Sequence, residues 1–152
     1  MYYKGKFKLK NRQKYKGDST KIQYRSSWEL KFMIYCDTNE AIERWSSEKI
    51  RIPYISRINN GKKRNYIVDF WIKLKSGKEY LIEIKPKKQT VEPKPPKTKS
   101  QKSLHTYLYS KLMFENNKDK WVAANDFANN NKMIFKVASE DDLAKWGINI
   151  NG

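Results

Sequence analysis

Two apolar stretches around Ser76-Gly77-Lys78 constrain the fold most, because each carries a carboxylate where a buried strand should carry none. Residues 66–74 and 79–85 read as strands bounded by turn chemistry. Side chains alternate along a strand, so Glu83 and Lys85 share one face while Ile82 and Ile84 share the other. In the first strand Val68, Phe70 and Ile72 share a face and Asp69 lies opposite. Register decides whether the acids meet. A two-residue loop, Ser76-Gly77, pairs Lys75 with Lys78, sets Asp69 across from Ile84 and separates the carboxylates. A three-residue loop, Ser76-Gly77-Lys78, pairs Lys75 with Glu79, sets Asp69 across from Lys85 and leaves Glu83 a diagonal neighbour. The second arrangement gathers Val68, Phe70, Ile72, Ile82 and Ile84 on one buried face, and Gly77 can supply a left-handed conformation, so it is the expected register.

Two carboxylates side by side can hold a divalent cation against a scissile phosphate, where it lowers the pKa of a bound water. A neighbouring lysine can orient that water or stabilise the charge that develops. The plain alternative is a cross-strand salt bridge between Asp69 and Lys85, and spacing alone does not choose between the two. Cys36 and His105 each stand alone in the chain. That excludes an intramolecular disulfide, a structural zinc site of four N/S ligands and a nuclease built on several histidines. Any metal here must be held by oxygen, which favours magnesium, with manganese as the substitute.

The net charge of +17 points to a polyanionic partner. It is segregated: residues 1–100 hold 26 Lys/Arg against 10 Asp/Glu, and residues 101–152 hold 7 against 6. Residues 1–25 read as a basic N-terminal arm, with tyrosines interleaved, ahead of a single domain over 26–152. Lys8, Lys10, Arg12, Lys14, Lys16 and Arg25 of this segment, with Lys87 and Lys88 after the second strand, are the expected DNA-backbone contacts. No apolar run approaches the roughly 18 residues that cross a bilayer. The opening MYYKGKFKLK lacks the apolar core of a signal peptide. The expected location is the cytoplasm of the cell that makes the protein, or a virion.

Ser26 and Glu29 have capping-box spacing ahead of an apolar run, so a helix is expected from Ser26 to about residues 37–39. Ile50-Arg51-Ile52 alternates as a strand, with Pro53 marking an edge or an end. Asn59-Asn60-Gly61 is a turn signal. Residues 86–100 hold four of the chain's five prolines and read as an extended basic loop. Two helical stretches, over 104–112 and 121–128, a strand over 133–137 and a short helix from Asp141 complete the reading.

Tyr24-Arg25-Ser26-Ser27-Trp28-Glu29, Trp45-Ser46-Ser47-Glu48, Val68-Asp69-Phe70 and Glu83-Ile84-Lys85-Pro86, in this order and spacing, resemble the PD-(D/E)XK nucleases of the transposase-A-like endonuclease family. The resemblance runs over residues 1–145; the proline that often precedes the first acid is replaced by Val68. It implies an α/β restriction-endonuclease-like fold, a central mixed sheet flanked by helices, and magnesium-dependent hydrolysis of DNA phosphodiester bonds. It further implies that Glu29, Asp69 and Glu83 bind the metal and that Lys85 assists the nucleophile. Glu29 therefore has two readings, metal ligand or capping-box partner, and one side chain cannot easily serve both. The phage branch of the family implies head completion in an infected host cell, with portal or neck proteins as partners. A DNA-end-binding or neck structural protein of the virion, or a junction resolvase, are the alternative readings.

Overall fold

The computed structural model describes residues 4–151. In chain order the elements are β1 (Gly5–Lys6), β2 (Gln23–Tyr24), α1 (Ser27–Thr38), β3 (Ile42–Ser47), β4 (Arg51–Ser56), β5 (Lys62–Ile67), β6 (Phe70–Leu74), β7 (Glu79–Ile84), α2 (Gln101–Asn130), β8 (Ile134–Ala138) and α3 (Glu140–Lys145). A four-stranded sheet in the order β3-β6-β7-β8 forms the centre. Its first three strands are antiparallel, and β8 joins β7 in parallel after the α2 crossover. This is the mixed α/β architecture expected of a restriction-endonuclease-like fold.

The β6–β7 hairpin differs from the expected register in one step. Phe70 pairs with Ile82 and Lys73 with Glu79. The Leu74 N–H donates to Lys78 O at 2.8 Å, so the turn is Lys75-Ser76-Gly77, with Gly77 at φ +97°. The loop has the expected length but starts one residue earlier, and the partner strand slides by two positions. Continuing the observed ladder places Asp69 across from Glu83, not from Lys85. A two-residue slide preserves the faces, so Phe70, Ile72, Ile82 and Ile84 pack together on the α1 side as expected.

Val68 departs from that group. It packs with Ile52, Tyr54, Tyr66, Trp71 and Leu81 on the opposite side. The cause is a bend at Asp69. Residues 66–74 are not one strand: β5 pairs only with β4 in a separate hairpin, and β6 begins anew in the central sheet. β4 runs through Pro53, which faces solvent on this two-stranded ribbon. The residues expected to form two helical stretches are one continuous helix, α2.

Two layers cover the sheet. On one side α1 and α3 pack with Phe7, Tyr15 and Ile22. On the other, Ala124 and Ala128 bring α2 against the sheet and the β4–β5 hairpin. The basic N-terminal segment is thus no appendage within the described residues. Besides its core side chains, β1 pairs with β2. Asp37, buried at the C-terminal end of α1, accepts the Lys10 and Asn11 backbone N–H groups at 2.8 and 3.1 Å. An acid is ill placed at a helix C-terminus, and those two donors compensate it while tying the segment to the domain.

Candidate active site

The bend that separates β5 from β6 also creates the site. Where Val68 leaves the central sheet, Ile84 loses a backbone acceptor across the ladder. The Asp69 carboxylate replaces it: the Ile84 N–H donates to Asp69 Oδ2 at 2.9 Å. The Asp69 carbonyl accepts from the Glu48 N–H at 3.0 Å on the other flank. Asp69 is thereby held between β3 and β7 at the end of the sheet.

Although Asp69 keeps some accessible surface, burial of its carboxyl pushes the pKa up to about 8. The charges of Glu83 and Glu29 push in the same direction, while the Ile84 N–H and Lys85 oppose them. The four residues singled out in the sequence therefore lie within one electrostatic neighbourhood. Lys85 is the smallest of these named influences, and it forms no ion pair with Asp69 among the described residues. The cross-strand salt bridge is not formed, and its half-buried lysine sits just past β7, where its N–H donates to Ala138 O.

Glu83 is 6% exposed. Its Oε1 accepts from the Tyr66 hydroxyl at 2.7 Å and its Oε2 from the Trp121 indole N–H at 2.6 Å. The Tyr66 phenol is held neutral, first by burial and then by the Glu83 charge beside it. Tyr66 and Trp121 were missed in the sequence. The one available signal was that a buried carboxylate needs donors, without any indication of which residues supply them.

Glu29 lies in the first turn of α1, on the face that also buries Phe32, Met33 and Cys36. The Ser26 hydroxyl caps the helix by accepting the Glu29 N–H at 3.1 Å. The Glu29 carboxyl has its pKa raised, mainly by burial; the Arg25 backbone N–H opposes this and the Glu48 charge adds to it. Glu48 is a third residue whose position the sequence did not disclose. It adopts a left-handed φ of 52°, uncommon for a residue with a side chain. It takes the Arg25 guanidinium in a fork, Nε at 2.8 Å and Nη2 at 3.2 Å.

The expected DNA contacts are scattered. Lys8, Lys10, Arg12 and Lys88 are exposed. Lys14 donates to the Asn39 carbonyl at 2.7 Å, and burial lowers its pKa. Lys16 lies over the Trp71 ring at 5.0 Å. Arg25 holds Glu48, and Lys87 pairs with Asp141 at 3.0 Å. Lys10 and Lys14 meet α1 at its C-terminal end, while Glu29 is at the other end, about 12 Å away at 1.5 Å per residue.

Residues 39–140 match the model of the TnsA-like endonuclease N-terminal family. Over 147 residues the chain is 41% identical to the head completion nuclease of Enterobacteria phage T4, an alignment that covers 97% of each protein. The chain belongs to the TnsA-like endonuclease family. No solved structure matches it significantly.

The donor set suits a hard divalent cation. It consists of carboxylate oxygens, and each Glu83 oxygen, though it accepts one hydrogen bond, keeps a further lone pair. A carboxyl at Asp69 that burial and two like charges drive toward its neutral form also has an electrostatic need for a cation. Among the described residues, however, no three acids stand close enough to make a ready-formed cage, so the side chains would have to close around the ion.

Proposed function

We propose that the chain is a magnesium-dependent DNA endonuclease acting in phage head completion. The observation that carries this reading is the Asp69 carboxyl, buried and subject at once to the charges of Glu83, Glu29 and Lys85. Family membership makes it a nuclease rather than a mere salt-bridge cluster, and the phage relative supplies the head-completion role. In this reading Asp69, Glu83 and Glu29 would hold magnesium, with manganese able to replace it. The metal would supply an activated water and neutralise charge on the phosphate. Tyr66 and Trp121 fix the Glu83 carboxylate, the Ile84 N–H fixes that of Asp69, and Lys85 presents its ammonium to the phosphate oxygens.

No helix among the described residues is long and apolar enough to cross a membrane. The place of action would be the infected host cell during assembly, or the virion. Contact with a portal or neck protein is supported by the first half of α2, where Leu104, Leu108, Leu112 and Tyr109 are left exposed. Such exposed apolar side chains suit a protein surface.

The test is incubation of the purified chain with plasmid and linear DNA in magnesium, manganese or chelator, beside Asp69→Asn and Glu83→Gln. Cleavage should require the metal and vanish in both variants, while DNA binding persists. A wild-type chain that binds DNA but never cuts it with either ion would overturn the nuclease reading in favour of a DNA-holding protein.

A further inference from the structure

The β4–β5 hairpin is an acid-free cationic segment that the site leaves unexplained. Residues 49–68 contain six Lys/Arg and no Asp or Glu. One face of the ribbon is buried: Ile52, Tyr54 and Tyr66 pack toward α2. Its tip is clamped by Arg57, which donates to Asp119 at 2.6 Å and to Glu115 at 2.9 Å. The Ser56 hydroxyl donates to Asn116 on the same helix at 2.8 Å. The other face carries Arg51, Pro53, Ile55, Lys63, Asn65 and Ile67, all exposed. Two of these are large aliphatic side chains, Ile55 at 56% and Ile67 at 42% exposure. Unlike Arg57, Arg51 and Lys63 form no ion pair with any described residue.

We infer that this outer face is the surface that seats duplex DNA beside the active site; the inference rests on the reading of DNA as substrate. Three features select a duplex as the occupant. The only charges on the face are the two cations Arg51 and Lys63, with no acid beside them, which complements phosphate and repels basic partners. A two-stranded ribbon fits the major groove, about 12 Å wide. Six residues per strand reach about 20 Å at roughly 3.3 Å each, the rise of about six base pairs. The Asn65 amide has the donor and acceptor for a base edge, and Ile55 and Ile67 offer the apolar contact that a thymine methyl accepts. The ribbon also ends at the chemistry. The Val68 N–H closes its base on Ile50 O at 3.1 Å, and Asp69 follows at once. Ile67 and Asp69 are two residues apart, at most about 7 Å along the chain, so a duplex lying along the ribbon brings its backbone to the carboxylates. Of the lysines expected to contact DNA, Lys14 and Lys16 face other groups, while the hairpin's outer face adds Arg51 and Lys63 next to the acids.

The experiment is fluorescence anisotropy of labelled duplex DNA over a salt series, in chelator so that nothing is cut. The chains compared are wild type, Arg51→Ala, Lys63→Ala and the double variant. Lys75→Ala, at the β6–β7 turn and the opposite end of the sheet, serves as control. Each hairpin substitution should lower the slope of log affinity against log salt by about one, and the double variant by about two. Near 0.1 M salt the double variant should bind about tenfold or more weakly, with unaltered circular dichroism and an unaltered response of Lys75→Ala. An unchanged slope in the correctly folded double variant would overturn the inference. So would a loss confined to single-stranded DNA or to a protein partner. A chain that binds duplex through Arg51 and Lys63 yet never cuts would uphold this surface and remove the nuclease reading. A chain that cuts normally while the double variant keeps its slope would do the reverse.

Discussion

Under α1 the central sheet meets Phe32, Met33 and Cys36, all with no exposed surface. The Phe32 and Phe70 rings lie 4.8 Å apart there, and Trp45 and Phe70 6.5 Å. Under α2 the same strands present Trp71 and Leu81, but also Glu83, which is as buried as they are and hydrogen-bonded at both oxygens. The α1 side is held by shape, and it tolerates one buried indole N–H, that of Trp45, without a partner. The α2 side must place specific donors, because an unsatisfied buried carboxylate costs far more than an unsatisfied N–H. The α1 face therefore carries most of the aromatic packing and the α2 face the placed donors, with Glu29 at the start of α1 the one site acid from the other layer, and substitutions on the two should fail in different ways.

The largest loss of stability is expected at Phe70→Ala. It empties a ring-sized space against Phe32 and Trp45 and should cost about 3–5 kcal/mol in chemical denaturation. A loss below about 1 kcal/mol would show that α1 does not depend on that face. Asp69→Asn should do the opposite in metal-free protein. The native pKa of about 8 lies above the ordinary carboxylate value of 3.8. The folded state thus binds a proton that the unfolded state has released, and stability falls as pH rises from about 4 through about 8. Even half of that shift would be worth about 3 kcal/mol at about 1.4 kcal/mol per unit. Melting temperature against pH should be visibly flatter in Asp69→Asn, and the variant should be the more stable protein at pH 8. Parallel curves for the two proteins would refute the burial of that carboxyl.

Tyr66→Phe sharpens the comparison on the α2 side, since it removes one donor from Glu83 and almost no volume. Hydrogen bonds to charged groups contribute about 1.5–3 kcal/mol, so urea unfolding should show a loss in that range. Trp121→Phe should lose at least as much. Both should reduce cleavage while leaving duplex affinity near wild type, because they position Glu83 and do not touch the hairpin's outer face. Unchanged cleavage with reduced stability would make the two donors purely structural.

The acids and the lysine were legible because they interrupt apolar alternation: Asp69 and Glu83 are polar where Phe70, Ile82 and Ile84 say the strand is buried. The helix start at Ser26 was legible from its cap. Tyr66 and Trp121 were not, since a donor 38 residues along the chain leaves no local trace. β3 was not read because Glu43 and Arg44, both exposed, follow its buried first residue Ile42 side by side and break the alternation. α2 looked interrupted at its run of Asn, Lys and Asp. In the fold that run is an interface, where Asn116, Glu115 and Asp119 receive the hairpin tip. In the N-terminal segment Phe7, Tyr15 and Ile22 are spaced irregularly among lysines, so charge concealed three core residues.

The smallest effect decides the role of Glu29. The Ser26 hydroxyl accepts from the Glu29 backbone N–H, and the Glu29 carboxylate is itself hydrogen-bonded to the Arg25 backbone N–H and the Ser26 side chain. Ser26→Ala should cost about 1 kcal/mol and reduce cleavage only modestly, because the Arg25 backbone N–H still holds the carboxylate. Glu29→Gln keeps the backbone donor and nearly the same shape. Its charge is disfavoured by burial and by Glu48, so neutralising it in metal-free protein should change stability by less than Ser26→Ala does, or raise it slightly. A carboxylate that binds the metal cannot be replaced by an amide, so cleavage should nonetheless collapse, and calorimetric titration should show weaker magnesium binding. If Glu29→Gln instead loses as much stability as Ser26→Ala and still cuts DNA, the carboxylate belongs to the helix end. Asp69 and Glu83 would then hold the ion without it.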